Sequence, residues 1–234
     1  MKWVRDNSGL FRQRPHYQPD ELDSLCEEAI CNFLTQRHGK VTFPVSTADL
    51  TVMIEQAVDD LDSCADLDEG VDGLTDFFPR KRPRVKIASR LQQPYLENRL
   101  RTTLTHEYGH VLLHGFMFAL DDDLKKLFDG KPKETRHQCH RDTIEGAGHG
   151  DWMEWQAGFA CGALLMPAGE LTRVVRAYRE AADFRYAEIA VESDHGRALI
   201  ERVMGEFQVS KEAARVRMEK RKILVQNAVP SLFG

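Results

Sequence analysis

Long apolar runs and a cysteine framework are both missing from this sequence. No stretch of about 18 consecutive apolar residues occurs, so no segment has the length of a membrane-spanning helix. The first residues, MKWVRDNSGL, also lack the apolar core of a secretory signal. The five cysteines are odd in number and form no tight framework, which is typical of reduced thiols. We therefore expect a soluble cytoplasmic protein with no membrane partner.

A strong excess of charge of either sign is missing as well. The 234 residues carry a formal net charge of −5, and 29% of them are charged and 42% apolar, which is ordinary for a globular protein. No overall field favours nucleic acid, although a local basic patch is compatible with these numbers. The length allows one large domain or a core domain with a small appendage.

Hydrophobic periodicity predicts an α+β fold that is mostly helical with a small antiparallel sheet. Residues 1–18 are polar, contain one proline and lack periodicity, which predicts a flexible arm. Helical patterns follow over PDELDSLCEEAICNFLTQRHG and FPVSTADLTVMIEQAV. The segments DGLTDFF and PRVKIAS flank a basic, proline-bounded turn and predict a strand pair, with a weaker third strand in DLDSCADL.

Two long helices separated by an insertion are predicted next. The first runs from about Glu97 to His114, and the second, WMEWQAGFACGALLMP, ends at its proline. Residues 119–151 are charged and contain glycine, which predicts a polar surface insertion with one short helix at 121–128. Residues 19–171 would then form a single domain.

The pentapeptide HEYGH lies near the end of the first long helix. Positions i and i+4 share a helix face, so His106 and His110 can direct imidazole nitrogens at one Zn²⁺. Glu107 is offset by one position, so it misses the metal but can accept a proton from the attacking water as a general base. The alternative is a buried helix whose histidines are satisfied by neighbouring carbonyls, and this pattern alone does not decide between the two.

A third ligand distinguishes these alternatives. Phe116 occupies the position where metzincins carry their third histidine, which excludes that class. His114 drifts about 40° around the helix from His110, and its expected role is to face the negative end of the helix in the last turn. Glu154 fits better, because small residues follow it on one face and allow two helices to pack closely. We therefore predict one zinc ion bound by His106, His110 and Glu154.

The segments RLRTTLTHEYGHVLLHG and EWQAGFACGALLMP together resemble the ImmA/IrrE family of bacterial metallopeptidases, whose usual signature is HELGH, then ExxAN-x-FA and LLMP. The resemblance covers all but the ends of the chain and implies a gluzincin-like zinc site with the ligands His106, His110 and Glu154. It also implies that Glu107 is the general base and that the substrate is a transcriptional repressor. Gly158 departs from the family asparagine, which implies the loss of a hydrogen bond that orients a zinc ligand. The alternative is that Asp151 or a backbone carbonyl replaces that partner.

Residues 172–234 are predicted to be helical and to contain a unit like a helix-turn-helix, LIERVMGEFQVSKEAARVRMEK. Residues 210–222 hold six Lys or Arg against two Glu, which allows contact with phosphates. Helix-turn-helix shape alone does not establish base readout, so we expect this region mainly to bind a protein partner, with DNA contact less favoured.

Two other functions compete with the peptidase. One is a DNA-binding regulator that uses zinc structurally or as a sensor, without proteolysis. The other is a toxin-like protein controlled by a neighbouring antitoxin. The presence of Glu107 favours the enzyme, because a structural zinc site needs no base and fills all four positions with protein ligands.

The insertion contains RHQCHRD, and its Cys139 is a candidate regulatory thiol. A thiolate is a better zinc ligand than water, and the flanking basic residues favour the thiolate. Because the insertion joins the two metal-binding helices, Cys139 is predicted to block the open zinc position until a partner binds or the thiol is oxidised. The alternative is a flexible surface loop, since the spacing matches no standard structural zinc set.

Overall fold

A computed structural model describes residues 1–78, 81–128, 135–140, 151–183 and 188–226, with the backbone only for 119–128 and 135–140. Over this part of the chain the fold is α+β, mostly helical with small sheets, which confirms the predicted class at that level. None of the helices in the described residues is long and apolar enough to cross a lipid bilayer.

Seven α-helices lie in the described residues, and polar side chains fix where several of them begin. Ser46, Asp151, Ser193 and Ser210 each accept hydrogen bonds from backbone N–H groups in the first turn of the helix that follows, as N-caps do. The helices are α1 (Pro19–His38), α2 (Thr47–Ala57), α3 (Glu97–Phe128), α4 (Trp152–Leu165), α5 (Ala168–Ala181), α6 (Asp194–Phe207) and α7 (Lys211–Lys220).

The strands of the described residues form three small sheets. They are β1 (Lys2–Arg5), β2 (Gln13–His16), β3 (Asp60–Ala65), β4 (Val71–Phe77), β5 (Arg84–Ala88), β6 (Thr135–His140), β7 (Ile189–Ala190) and β8 (Leu224–Val225). The largest sheet has the order β3-β5-β4-β6, in which β3 pairs parallel to β5 and the other pairs are antiparallel. The β1–β2 pair is antiparallel and the β7–β8 pair is parallel. The predicted sheet is therefore present, but its predicted antiparallel pairing is wrong for β3.

The predicted flexible arm at residues 1–18 is instead the β1–β2 hairpin. Asp6 organises its turn, because its carboxylate accepts hydrogen bonds from the backbone of Ser8 and Phe11. The Phe11 ring is buried and lies edge-on to Phe118, with ring centroids 5.0 Å apart. Strands of four residues are too short to produce a recognisable period, so the sequence pattern missed them.

The first long helix also differs from its prediction, because α3 continues past the expected end at His114 as far as Phe128. Met117 and Phe118 are buried in a small apolar cluster that includes Phe11 of the hairpin. This packing stabilises the helix beyond Gly115, where the sequence predicted that it would end. The predicted insertion at 119–151 therefore contributes the last part of α3 and the strand β6. Residues 129–134 and 141–150 of that insertion lie outside the described residues.

One apolar core joins most of the described elements, including the C-terminal helices. It contains Leu22 of α1, Leu164 of α4, Leu199 of α6, Met218 of α7 and Leu224 of β8. Helix α7 packs against both α6 and α4. The C-terminal region therefore shares the hydrophobic core of the preceding residues.

Candidate metal centre

The two helices that carry the predicted metal ligands, α3 and α4, pack directly against each other. Gly109 permits this close approach, because a Cβ atom there would lie 3.1 Å from both the Cα of Ala157 and the Cβ of Ala160. Such a contact is tighter than ordinary packing allows. The small residues that follow Glu154 are thus the surface on which α3 lies, as the sequence pattern predicts.

The structure brings the three predicted ligands together. Nε2 of His106 lies 3.1 Å from Nε2 of His110 and 3.0 Å from Oε2 of Glu154, and Nε2 of His110 lies 3.1 Å from Oε1 of Glu154. All three side chains are buried. Zinc ligands about 2.0–2.1 Å from the metal at tetrahedral angles would be roughly 3.3–3.4 Å apart, close to this spacing. The donor set therefore fits a divalent metal ion.

Glu154 and the two histidines shift each other's pKa against the effect of burial. Burial alone would raise the pKa of Glu154, but hydrogen bonds from His106 and His110 outweigh it and hold that pKa well below its usual range. Burial would lower the pKa of His110, but the hydrogen bond and charge of Glu154 raise it above its ordinary value. The carboxylate therefore stays ionised and ready to bind a cation, while a proton on His110 competes with that cation.

Glu107 is fully buried beside the ligand set, below strand β4. Burial raises the pKa of its carboxyl group, and the two neighbouring imidazoles and Thr75 partly offset that rise. The hydroxyl of Thr75 donates to Oε2, whereas Oε1 has no hydrogen-bond partner among the described residues. One oxygen is thus fixed and the other is left to accept a proton. The sequence pattern gave no sign of Thr75.

Gly73 of β4 makes room for that carboxylate. A Cβ atom at this position would lie 2.9 Å from both Cγ and Cδ of Glu107, a distance that real Cβ atoms essentially never show. Any larger residue at position 73 must displace either the strand or the carboxylate. Gly73 could have been suspected as a close approach only after β4 was placed over α3.

His114 contacts the metal-ligand set, which corrects its predicted role at a helix end. A carbonyl can only accept, so Nε2 of Gln156 donates to the oxygen of Pro15 (3.1 Å), and Oε1 of Gln156 must accept from Nε2 of His114 (3.1 Å). The other ring nitrogen of His114 then accepts from Nδ1 of His110 at 3.2 Å. These hydrogen bonds orient His110 so that its Nε2 faces Glu154. Hydrogen bonds to the ring nitrogen that does not bind the metal commonly orient metal-binding histidines in this way.

These hydrogen bonds bear on Gly158, where the sequence resemblance predicts the loss of a hydrogen bond to a zinc ligand. His110 has His114 as its outer partner, whereas Nδ1 of His106 has no hydrogen-bond partner among the described residues. Asp151 uses its carboxylate to cap α4 by accepting from the N–H groups of Met153 and Glu154. The i+4 spacing of His110 and His114 was a usable signal, but their partner Gln156 lies on another helix.

The candidate regulatory thiol, Cys139, lies on the strand β6 instead of a loop. Its Cα is the register partner of Gly73 in β4, so the backbone of Cys139 lies in the strand beside the one that covers Glu107. The side chains of β6 lie outside the described residues. The regulatory role of Cys139 therefore stays a prediction.

Compared with known proteins, the chain matches no family model and no curated protein.

Proposed function

We propose that this protein is a zinc-dependent endopeptidase of the ImmA/IrrE kind. One observation carries the proposal: two buried imidazoles and a buried carboxylate converge within about one zinc coordination sphere, with a second carboxylate, Glu107, beside them. A site that served structure alone would have no use for a buried base with one unpaired oxygen. The geometry therefore favours hydrolysis over a purely structural metal.

The residues of the site divide the work of peptide hydrolysis. Zinc held by His106, His110 and Glu154 would supply a Lewis acid that polarises the scissile carbonyl and makes water acidic enough to react near pH 7. Glu107 accepts the proton of the attacking water at its free Oε1 and delivers it to the leaving amine. Thr75 holds the other oxygen of Glu107 and so fixes the direction of transfer.

The substrate we propose is a transcriptional repressor, on the strength of the resemblance in HEYGH and EWQAGFACGALLMP. The helices α6 and α7, joined by a three-residue turn in which Val209 is buried, have the order and lengths of a helix-turn-helix-like unit. In this proposal they help to hold the protein substrate.

A DNA-binding regulator is less well supported, because the three arginines at 210–222 have partners within the protein. Arg215 pairs with two glutamates of its own helix, and the buried Arg217 pairs with Asp23 at 2.7 Å. Arg221 also pairs with Asp23. Half of the six cations at 210–222 are therefore occupied, which leaves three lysines for contact with phosphates.

The proposal is tested by incubating zinc-loaded protein with any small helix-turn-helix repressor that a neighbouring gene encodes, and measuring product masses. We expect one or a few cuts by the wild type and none by Glu154→Ala, which should also lose most of its zinc. Full zinc occupancy of Glu154→Ala would refute the ligand set, and an uncut repressor would refute the proposed substrate.

A further inference from the structure

A cavity of about 370 Å³ lies between the start of α3, the middle of α4 and α7. Its wall includes Thr102, which precedes His106 by four residues on α3. The wall also includes Gly158, which follows Glu154 by four residues on α4. Each lies four residues, about 6 Å along the helix axis, from a predicted metal ligand. The cavity therefore adjoins the place where a scissile peptide bond would lie.

Two glycines lie on the α4 side of the cavity, and the stem of Arg217 covers Gly162, where a Cβ atom would lie 3.3 Å from Cδ of Arg217. Gly158 and Gly162 are four residues apart and share a helix face, and both line the cavity. The surrounding wall is largely apolar, with Leu96, Phe159 and Val216 among its residues. Its volume lies within the range of about 300–1,000 Å³ that is usual for ligand pockets. There is room for the stem of a long side chain.

The carboxylates that line this cavity are already neutralised. Asp72 is buried and accepts from Arg99 at 2.6 Å and from Arg90 at 3.0 Å, so two cations share one carboxylate. Glu212 accepts from Arg215 at 3.0 Å. The acidic residues of the wall therefore provide no free negative charge for a cationic ligand.

The remaining cations of the wall are Arg217, which pairs with Asp23 and donates to the oxygen of Met166, and Lys220. Arg217 shares Asp23 with Arg221, and its Nη1 has no hydrogen-bond partner among the described residues. Lys220 is exposed as a residue, but its ammonium packs 5.9 Å from the ring centroid of Phe159. Desolvation lowers the pKa of that ammonium, and the charge of Arg217 also lowers it, although the nearby Cys161 thiol opposes both effects. An anion in the cavity would relieve both effects.

We propose that this cavity is a specificity pocket for an acidic side chain of the peptide substrate, next to the scissile bond, and that Lys220 recognises its carboxylate. The apolar wall would cover the methylene stem, and the ammonium would donate to the carboxylate, a charge-assisted hydrogen bond. The inference rests on the proposed peptidase function. It adds the chemical class of residue that the site selects.

The test is digestion of a proteome-derived peptide library by the zinc-loaded full chain, with the cut sites read by mass spectrometry. The wild type should enrich Asp or Glu at one fixed position beside the cut. Lys220→Met should reduce that preference about ten-fold, as expected for loss of a charge-assisted hydrogen bond. Lys220→Glu should favour Lys or Arg at the same position. The control is Lys211→Met, an exposed lysine of the same helix outside the cavity wall, which should cut as the wild type does.

A second measurement separates failure of the pocket from failure of the peptidase. The same library is captured on immobilised, zinc-loaded Glu107→Gln, which needs binding but no turnover. One outcome is that acidic peptides are retained only when Lys220 is present, while the wild type cleaves nothing. That outcome would support the pocket and contradict the peptidase. Cleavage with no acidic preference, or with a preference that Lys220→Met leaves unchanged, would overturn the pocket alone. Neither cleavage nor retention would overturn both. Thermal unfolding midpoints equal to the wild type show that the Lys220 variants are folded.

Discussion

Gly73 shows how one missing side chain controls the candidate base. The carboxylate of Glu107 lies where a Cβ of residue 73 would be, and Thr75 on the same strand holds its Oε2. Position 73 therefore affects the base without touching the three metal ligands. A substitution at position 73 therefore tests proton transfer separately from metal binding.

Gly73→Ala should accordingly keep zinc but lose most peptide cleavage, because the new methyl group must push Glu107 out of place. Misplacement of a catalytic group by about 1 Å can cost roughly 100-fold in rate. Zinc content by metal analysis and cleavage of the peptide library measure the two effects. Equal cleavage by Gly73→Ala and the wild type would contradict the account of this strand.

His114 provides a second prediction at this scale, since it supports the ligand His110 through a hydrogen bond of 3.2 Å. His114→Phe keeps an aromatic ring but removes the acceptor, and loss of such a partner typically weakens metal affinity about 10–100-fold. Zinc affinity is measured by competition with a chelator of known strength. His114→Gln, which retains an acceptor, should recover part of the loss. Unchanged affinity in His114→Phe would show that the contact only fills space.

The sequence pattern predicted the three side chains that the structure brings together, but not the residues around them. His106 and His110 follow from spacing on one helix, and Glu154 follows from its small neighbours. Thr75 and Gln156 act across elements far apart in the chain. Helical spacing identifies residues that share a face, but it cannot identify what packs against that face.

At the scale of elements, the α3–α4 contact sets the separation of the ligands. Gly109 lies at the closest point, and its would-be Cβ meets backbone and side-chain atoms of Ala157 and Ala160. The backbone of Ala157 cannot move away from a new side chain at position 109 as the end of a flexible side chain could. The helices must separate if position 109 gains bulk.

Gly109→Val should therefore lower both stability and zinc occupancy, with an overpacking cost of about 1–3 kcal/mol. The matched control is Gly115→Ala on the same helix, where the new Cβ would lie 3.6 Å from Pro83, an ordinary contact. That variant should be neutral or gain roughly 0.5–1 kcal/mol from the removal of a helical glycine. Urea unfolding and metal analysis give the two readouts. Full zinc occupancy in Gly109→Val would contradict the importance of this contact.

Element prediction succeeded where the signal was local and failed where partners were distant. The capped helices α2 and α4 and the strands β4 and β5 follow from their own residues. The extension of α3 past His114 depends on Met117 and Phe118 packing beneath the hairpin, which is a tertiary contact. The parallel pairing of β3 likewise depends on how the chain crosses the sheet and not on the residues of β3.

At the scale of the whole molecule, one apolar core includes the C-terminal helices. The buried residues there include Leu199, Ile200, Val203, Phe207 and Met218. Burial of each such side chain contributes about 1.5–3 kcal/mol, so five contribute about 7–15 kcal/mol. That is comparable with the entire stability of a typical protein, about 5–15 kcal/mol.

Removal of the chain after Ala190 should therefore unfold the protein instead of leaving a peptidase that lacks its substrate-binding region. Circular dichroism and thermal melting measure this, with the full chain as reference. A cooperative melt near the wild-type midpoint in the truncated protein would contradict the shared core. Surface variants on α7, such as those at Lys220, are the appropriate way to test substrate binding.

The central claim, that a zinc site with Glu107 as base hydrolyses peptides, is tested most directly by comparing the wild type with Glu107→Gln. Both proteins are loaded with zinc, analysed for metal and incubated with the same peptide library. An amide cannot accept the proton of the attacking water, so we predict equal zinc in both and cleavage by the wild type alone. Cleavage by Glu107→Gln at the wild-type rate, or no cleavage by zinc-loaded wild type, would contradict the claim.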